Sequence, residues 1–371
     1  MKLPRREYMS LQAGRGLAAL LIVVQHVSTF AGVVPGMWVH PAISRWLMGC
    51  KVGVAFFFVL SGVVILTAHW DDLGRPSSVG LYVWKRFRRI YPIYWVVLIA
   101  VLCMQLPVAR GAMAFRRDPW VIVSSFLLVH VHSQETNLVV AWTLFVEVMF
   151  YAVFLTMLLS RRVGAWVLAA WLVMSVVDLL HRPMWHENLF SPLHLLFAMG
   201  IGVAWVLRHR RARHASWLLT AGAAVLVATL LYGGWRGAVH DELYLVSGAG
   251  AALAMLGAVE LERSGRLWVP RWMSFLGDAS YAIYLIHDPV VSAAAHMGFR
   301  LDARLHWPIM IWMMIFVGLG AMAGCALHVW VERPLLHWIG TRLEWLEGDG
   351  REDADGFAVE APEHDLGKEA A

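Results

Sequence analysis

Apolar runs of nearly twenty residues recur along the whole chain, and they constrain its fold more than any other feature. A helix of about twenty apolar residues is as long as the hydrocarbon core of a bilayer is thick. Hydrophobic residues make up 59% of the chain and charged residues 15%, whereas soluble domains have about a quarter of charged residues. The apolar segments cover approximately residues 14–33, 50–68, 90–108, 119–132, 141–159, 163–180, 192–207, 215–232, 242–260, 272–296 and 307–330. The pattern predicts an all-α, polytopic transmembrane helical bundle.

The fourth segment, 119–132, has about 14 residues, fewer than the roughly 17 that a spanning helix needs. Charge decides how it is placed. Cytoplasmic loops are enriched in lysine and arginine, so the basic start of the chain is expected inside. If the segment dips in and returns, most later arginines also lie inside, and only Arg182, Arg236, Arg300 and Arg304 lie outside. We therefore predict about ten spans, one short re-entrant segment and two cytoplasmic termini.

Composition also limits the class of protein. The net charge of +5 comes from arginines clustered between apolar segments, which indicates topology rather than nucleic-acid binding. The three cysteines are far apart and predict neither disulfides nor a metal site. No cleavable signal peptide is recognised. We expect residues 1–340 to form a membrane domain and residues 341–371 an acidic, disordered tail.

The first apolar segment carries two ionisable residues, Arg15 and His26. Such residues are costly at membrane depth, by roughly 2.5–3.5 kcal/mol, and are expected to face protein or a water-filled cavity. Eleven residues bring a helix round to within about 20° of its starting direction and about 16 Å along its axis. The two side chains therefore share one stripe. Arg15 is either an anchor that reaches the interface or an anion clamp, and its register with His26 favours the clamp.

Three ionisable residues from three helices are expected at nearly one depth. Counting from the segment ends places His26 about 18 Å, Glu147 about 21 Å and His287 about 21–22 Å above the inner boundary. A carboxylate beside an imidazole can fix its tautomer and stabilise the imidazolium, which makes the pair a general base. The prediction is that Glu147 and His26 lie side by side.

The tenth segment has a polar stripe, since Ser280, Tyr284 and His287 follow the i, i+4, i+7 spacing of one helix face. Interhelical hydrogen bonding explains Ser280 and Tyr284 best. For His287 that explanation and a functional one are balanced. We nevertheless retain all three residues as candidate substrate-binding residues.

A basic pair, Arg86 and Arg89, lies where the third segment is expected to begin. A helix N-terminus attracts anions, and two guanidinium groups add phosphate recognition. Positive residues also flank the inner ends of most membrane helices, and composition alone favours that reading. His130 and His132 have no further ligands nearby in the sequence, so no metal is predicted.

Six segments in order resemble the signatures of the acyltransferase 3 family of integral membrane O-acyltransferases. They are GRGLAALLIVVQH, GVAFFFVLSGVVI, RFRRIYPIYW, AWTLFVEVMFY, FLGDASYAIYLIHDPVV and VERPL, spread over residues 10–338. The first contains an arginine followed by ten residues and a histidine, the third an Arg-x-x-Arg pair, and the fourth a glutamate. Thr143 stands where serine is commoner, which resembles the branch that modifies exopolysaccharides.

The resemblance implies transfer of an acyl group, usually acetyl, from cytoplasmic acetyl-coenzyme A to a hydroxyl of a glycan or glycolipid such as exopolysaccharide or lipopolysaccharide. The acceptor is commonly on the periplasmic side of a bacterial inner membrane. His26 is then the catalytic base, Glu147 a supporting acid, and Arg15, Arg86 and Arg89 bind the donor. The chain is expected either to transfer the group directly or to pass it to a separate periplasmic transferase.

A competing class is a secondary transporter or glycolipid exporter that uses the same buried charges as a proton relay. An enzyme releases free thiol from acetyl-coenzyme A without a gradient, and a transporter does not.

Overall fold

The fold is described from a computed structural model, which covers residues 8–33, 41–109, 111–129, 136–181, 189–305 and 307–341. Within these ranges every regular element is helical. The α-helices are α1 (Met9–Val33), α2 (Pro41–Leu47), α3 (Gly53–His69), α4 (Val79–Gln105), α5 (Pro119–Leu127), α6 (Trp142–Leu159), α7 (Arg161–His181), α8 (His194–His209), α9 (Ala215–Arg236), α10 (Asp241–Arg263), α11 (Arg271–Asp278), α12 (Ser280–Leu305), α13 (Ile309–Leu327) and α14 (Arg333–Thr341).

The long helices have the dimensions of membrane spans. Seven helical stretches are long and apolar enough to cross a bilayer, namely 41–72, 76–105, 139–159, 161–181, 215–236, 241–263 and 309–340. Helices α1 and α12 are 25 and 26 residues long, and α8 is a shorter apolar helix. The prediction of an all-α transmembrane bundle is confirmed.

Glycine lets the core helices approach closely. A methyl group added at Gly200 of α8 would lie 1.9 Å from the carbonyl oxygen of Val59, and one at Gly62 of α3 would lie 2.2 Å from that of Phe197. Helices α1 and α11 pack in the same way, since a methyl group at Gly277 would lie 2.0 Å from the carbonyl oxygen of Gln12. Small residues at such crossings allow close van der Waals packing, which drives helix association in lipid.

The short fourth segment folds as predicted in one respect. Helix α5 has nine residues, about 14 Å, and does not reach across a bilayer. Its last carbonyl groups accept hydrogen bonds from the middle of α4, where the Tyr94 hydroxyl donates to Ser125 at 2.7 Å and the Trp95 indole to Phe126 at 2.9 Å. The end of α5 therefore lies at the depth of the middle of α4, as expected of a segment that dips into the bundle.

Three boundaries differ from the prediction. Helix α4 begins at Val79, about eleven residues before the predicted start. Aromatic residues lie between the arginines of this stretch and stack on one another about one helical turn apart, which favours the helix. The segment predicted at 272–296 is broken at Ala279 into α11 and α12. A π-helical turn, His328–Glu332, joins α13 to α14. Of the predicted tail, residues 342–371 lie outside the described residues.

A matched pair of glycines on α8 tests the packing. Alanine is preferred over glycine inside a helix by about 1 kcal/mol, so Gly202→Ala, where the added methyl group meets no atom within 4 Å, should be neutral or stabilising. We expect Gly200→Ala to destabilise the bundle by about 1–3 kcal/mol, because its methyl group meets backbone that has no room to move. The measurement is the midpoint of thermal unfolding in detergent. Equal midpoints for the two variants would contradict the packing of α3 on α8.

Candidate active site

Two histidines from different helices meet inside the bundle. The Nδ1 atom of His26 on α1 lies 3.2 Å from the Nε2 atom of His287 on α12, and the rings pack edge to face with centroids 4.9 Å apart. His287 has no exposed surface, whereas His26 is half-buried. The predicted equal depth of these two residues is confirmed.

The hydrogen bonds of this pair assign the position of its protons. The Nδ1 atom of His287 lies 3.0 Å from the carbonyl oxygen of Ile283, which only accepts, so Nδ1 carries the proton and Nε2 has a lone pair. The Nδ1 atom of His26 faces that lone pair and the carbonyl oxygen of Ile22 at 3.1 Å, so it too carries the proton. The Nε2 atom of neutral His26 is therefore an unprotonated base, with no hydrogen-bond partner among the described residues.

A group of arginines lies towards the start of α1 and α12. The Nη1 atom of Arg15 donates to Oε1 of Gln12 at 3.0 Å, and its charge is within electrostatic reach of Asp278, Glu332 and Arg89. The close packing of α1 on α11 brings Arg15 near Asp278 without an ion pair between them. The guanidinium carbon of Arg89 lies 5.5 Å from the centre of the Tyr281 ring. Tyr281 is about one turn before Tyr284 on α12.

Arg86 is held by a hydrogen-bonded chain. Its Nη2 atom donates to Nε2 of His69 at 3.1 Å, and Nδ1 of His69 donates to Oδ2 of Asp72 at 2.9 Å. The Nε atom of Arg86 is buried without a partner among the described residues. Within the described part of the chain, none of Arg15, Arg86 and Arg89 forms an ion pair with a carboxylate, which leaves their charges available to an anionic ligand.

Comparison with known proteins identifies the family. The family model described as an acyltransferase domain, that of the acyltransferase 3 family, matches residues 9–330. The protein belongs to the acyltransferase 3 family. It is therefore a multi-pass membrane acyltransferase, and the predicted resemblance is confirmed.

Two curated relatives of this acyltransferase were found. The exopolysaccharide production protein ExoZ of Rhizobium meliloti (strain 1021) is 28% identical over 301 residues, which cover 76% of this chain and 89% of ExoZ. The protein 2 in the picA locus of Rhizobium radiobacter is 33% identical over 96 residues, 26% of this chain and 44% of that protein. No solved structure matches the chain significantly.

The predicted contact between His26 and Glu147 is wrong for this acyltransferase. Oε1 of Glu147 accepts hydrogen bonds from Ser61 at 3.0 Å and from the hydroxyl of Tyr151. Thr143, four residues before Glu147, contacts Tyr284, three residues before His287, at 2.6 Å. Glu147 therefore lies about 10 Å from the histidine pair along the bundle axis, on the side of the arginines.

The error has a physical cause. The predicted depth of Glu147 takes residue 141 to lie at the membrane surface, but Val140 and Ala141 are buried in the bundle.

The other candidates on α12 fall into two groups. The hydroxyl of Tyr284 is engaged by protein, since it donates to the carbonyl oxygen of Val140 at 2.9 Å and contacts Thr143. That of Ser280 is buried without a partner among the described residues.

The helix-terminus argument for anion binding by Arg86 and Arg89 does not hold in the structure. These residues lie about 10 and 15 Å into α4, too far from its N-terminus to form a helix-terminus site.

Sequence reasoning missed several residues at the end of the bundle that carries the arginines. His69 and Tyr151 both contact Arg86, whose guanidinium carbon is 5.4 Å from the Tyr151 ring. The only signal for His69 was a histidine at the end of an apolar run. His328 repeats the arrangement of His69, since it contacts Oε2 of Glu332 at 2.7 Å and accepts from Nε of Arg333 at 3.0 Å. It lies in the π-helical turn, a feature frequent at functional sites.

Metal binding was not predicted. Among the described residues, no three histidine, cysteine, aspartate or glutamate side chains are placed to hold a metal ion. His130 and His132 lie outside the described residues.

The chain that holds Arg86 is tested at His69. His69→Ala removes the acceptor that fixes the guanidinium, and a hydrogen bond to a charged group is worth about 1.5–3 kcal/mol, so KM for the acyl donor should rise about tenfold or more. His69→Gln keeps an acceptor near the same place and should restore most of the loss, with kcat changed less than KM in both variants. Exposed His209, at the end of α8, provides the control, and His209→Ala should match the wild type. A His69→Gln variant as impaired as His69→Ala would show that the histidine serves packing alone.

Proposed function

We propose that the protein transfers an acetyl group from cytoplasmic acetyl-coenzyme A to a hydroxyl group of a glycan or glycolipid at a bacterial inner membrane, with both termini in the cytoplasm. The observation that carries this proposal is the free Nε2 atom of His26. The Nδ1 proton of this residue is held by His287 and by the carbonyl oxygen of Ile22, so His26 is a base with a fixed tautomer inside a membrane bundle. Further along the same bundle lie arginines that have no carboxylate ion pair among the described residues.

The reaction follows from this tautomer. Nε2 of His26 takes the proton of the acceptor hydroxyl as its oxygen attacks the carbonyl carbon of the thioester. The carbon–sulfur bond breaks, the ester forms, and the imidazolium returns its proton to the departing thiolate. A relay through an acyl-enzyme is the alternative sequence of steps. General-base catalysis of this kind contributes about 10²–10⁴-fold to a rate.

His287 takes the place that the sequence prediction gave to Glu147. While the His26 ring is charged, its Nδ1–H donates to the lone pair of His287 and to the Ile22 carbonyl oxygen, which both stabilise the positive charge. His287 keeps that lone pair because Ile283 accepts its own proton. The two carbonyl groups and the second imidazole are neutral, so they hold the ring without neutralising it.

The donor fits the end of the bundle that carries the arginines. Coenzyme A has three phosphate groups, and guanidinium groups bind phosphate in a bidentate manner. With the phosphates at Arg15, Arg86 and Arg89, the pantetheine arm extends towards His26, about 16 Å further along α1. Glu147 acts at this end, where it orients the Tyr151 ring beneath Arg86.

The relatives support the choice of acceptor. ExoZ is named for exopolysaccharide production, and the chain matches most of its length. An exopolysaccharide or its lipid-linked precursor is therefore the acceptor that we favour. A separate periplasmic transferase would be needed only if the acetyl group leaves this protein before it reaches the glycan.

Acetyl-coenzyme A turnover separates this function from transport. We expect the detergent-solubilised protein, supplied with acetyl-coenzyme A and membrane extract from cells lacking the gene, to release free thiol without any ion gradient. A transporter with a proton relay would release none. The measurement is thiol release by a colorimetric reagent, with heat-inactivated protein as the control.

The base is tested by His26→Ala, which should lower kcat by about 10²–10⁴-fold and leave membrane insertion intact. His287→Ala should lower kcat by about tenfold, because the Nδ1 proton of His26 loses one acceptor. Exposed His296, on the same helix as His287, is the matched control, and His296→Ala should retain full activity. Normal acetylation by the His26→Ala variant would remove this residue from the chemistry.

A further inference from the structure

Three polar residues from separate elements have buried side-chain atoms whose hydrogen-bonding capacity is unused. They are Arg116, in the 3₁₀ turn Gly111–Arg117, Asn137, which precedes α6, and Asp288 on α12. Within the described residues no partner exists for Nε of Arg116, for either side-chain atom of Asn137, or for Oδ1 of Asp288. Asn137 is only 1% exposed and Asp288 only 6%.

The three residues are close to one another. Nη1 of Arg116 donates to the main-chain carbonyl oxygen of Asn137 at 3.4 Å. Burial lowers the pKa of the Arg116 guanidinium below its ordinary value, and the nearby carboxylate of Asp288 opposes that shift. The two opposite charges thus act on each other without forming an ion pair among the described residues.

Their position along α12 is informative. Tyr281 lies under Arg89, His287 contacts His26, and Asp288 is the next residue, about 10 Å beyond Tyr281 along the helix axis. The polar group is therefore at about the depth of the histidine pair, on the far side from the arginines expected to bind the donor. An acceptor must approach the base from a direction that the donor leaves open.

Unpaired polar atoms at this degree of burial require an explanation. Buried amide and carboxylate groups in native proteins almost always have hydrogen-bond partners, because losing water without replacement is unfavourable. Three such residues close together, at the depth of a reactive histidine, indicate a site that an absent ligand completes. Ordered water is the simplest alternative occupant.

The donors and acceptors define the ligand. Arg116 only donates, Asp288 accepts, and Asn137 does both. An anion would be repelled by Asp288 and a cation by Arg116, whereas sugar hydroxyls donate and accept and can satisfy all three side chains. We propose that Arg116, Asn137 and Asp288 form the binding site for the saccharide acceptor and present its reacting hydroxyl to His26. This inference rests on the acetyl transfer proposed above.

The test compares the two substrates separately. Full-length protein in detergent is supplied with radiolabelled acetyl-coenzyme A and with the lipid-linked saccharide fraction from cells lacking the gene. We expect Asn137→Ala and Asp288→Asn each to raise the apparent KM for the saccharide fraction by about tenfold, as expected for lost hydrogen bonds, and to leave KM for acetyl-coenzyme A within about twofold. Asp288→Asn keeps the volume of the side chain and guards against misfolding. Ser175→Ala on α7, another fully buried polar residue, is the control and should change neither constant.

Each other outcome overturns the inference. An active wild type with unchanged acceptor KM in both variants would show that water fills the site. Equal rises in both KM values would show a structural role alone. A wild type that transfers no label to the saccharide fraction would refute the proposed function itself, and the acceptor site with it.

Discussion

A single proton, the one on Nδ1 of His26, determines what the centre of this bundle can do. It lies between the Ile22 carbonyl oxygen, which belongs to the same helix, and Nε2 of His287, which belongs to α12. The first contact is available to any histidine in a helix, since it reaches back one turn. The second requires α1 and α12 to be in register to within a fraction of a turn. The tautomer of the base therefore depends on how these helices pack.

The helices pack this accurately because glycines lie where they make contact. On α13, a methyl group at Gly320 would lie 3.3 Å from Val23 and 3.4 Å from Cβ of His287, so α13 supports both helices from behind. At the other end, Gly277 admits the backbone of α1 at Gln12. Lipid provides no hydrophobic driving force between helices, and close contact through glycine replaces it. The same contacts that stabilise the bundle thus align its reactive groups.

The sequence predicts elements well and depths poorly, and the difference is physical. Helices such as α7 and α9 match their predicted segments closely because apolar length is a local property. The equal depth of His26 and His287 also follows from counting residues along helices. Glu147 was misplaced because depth depends on where a helix meets the interface, and buried Val140 and Ala141 look no different in sequence from residues at a boundary. His69 and Asn137 could not be predicted, since their roles depend on neighbours that are distant in sequence.

Two arginines at one end of the bundle are linked to a carboxylate through a histidine and not by a direct ion pair. A direct ion pair would fix a guanidinium group but would also cancel most of its charge. In the chains Asp72–His69–Arg86 and Glu332–His328–Arg333, a neutral imidazole stands between the carboxylate and the arginine. The Nδ1–H group of the imidazole donates to the carboxylate, and its Nε2 lone pair accepts from the guanidinium group and orients it. Because Coulomb attraction falls with distance, the carboxylate one ring away weakens the field of the arginine far less than a contact would. Each arginine is thereby held in one direction and keeps its positive charge, which is what an anion-binding group buried at the end of a membrane bundle requires.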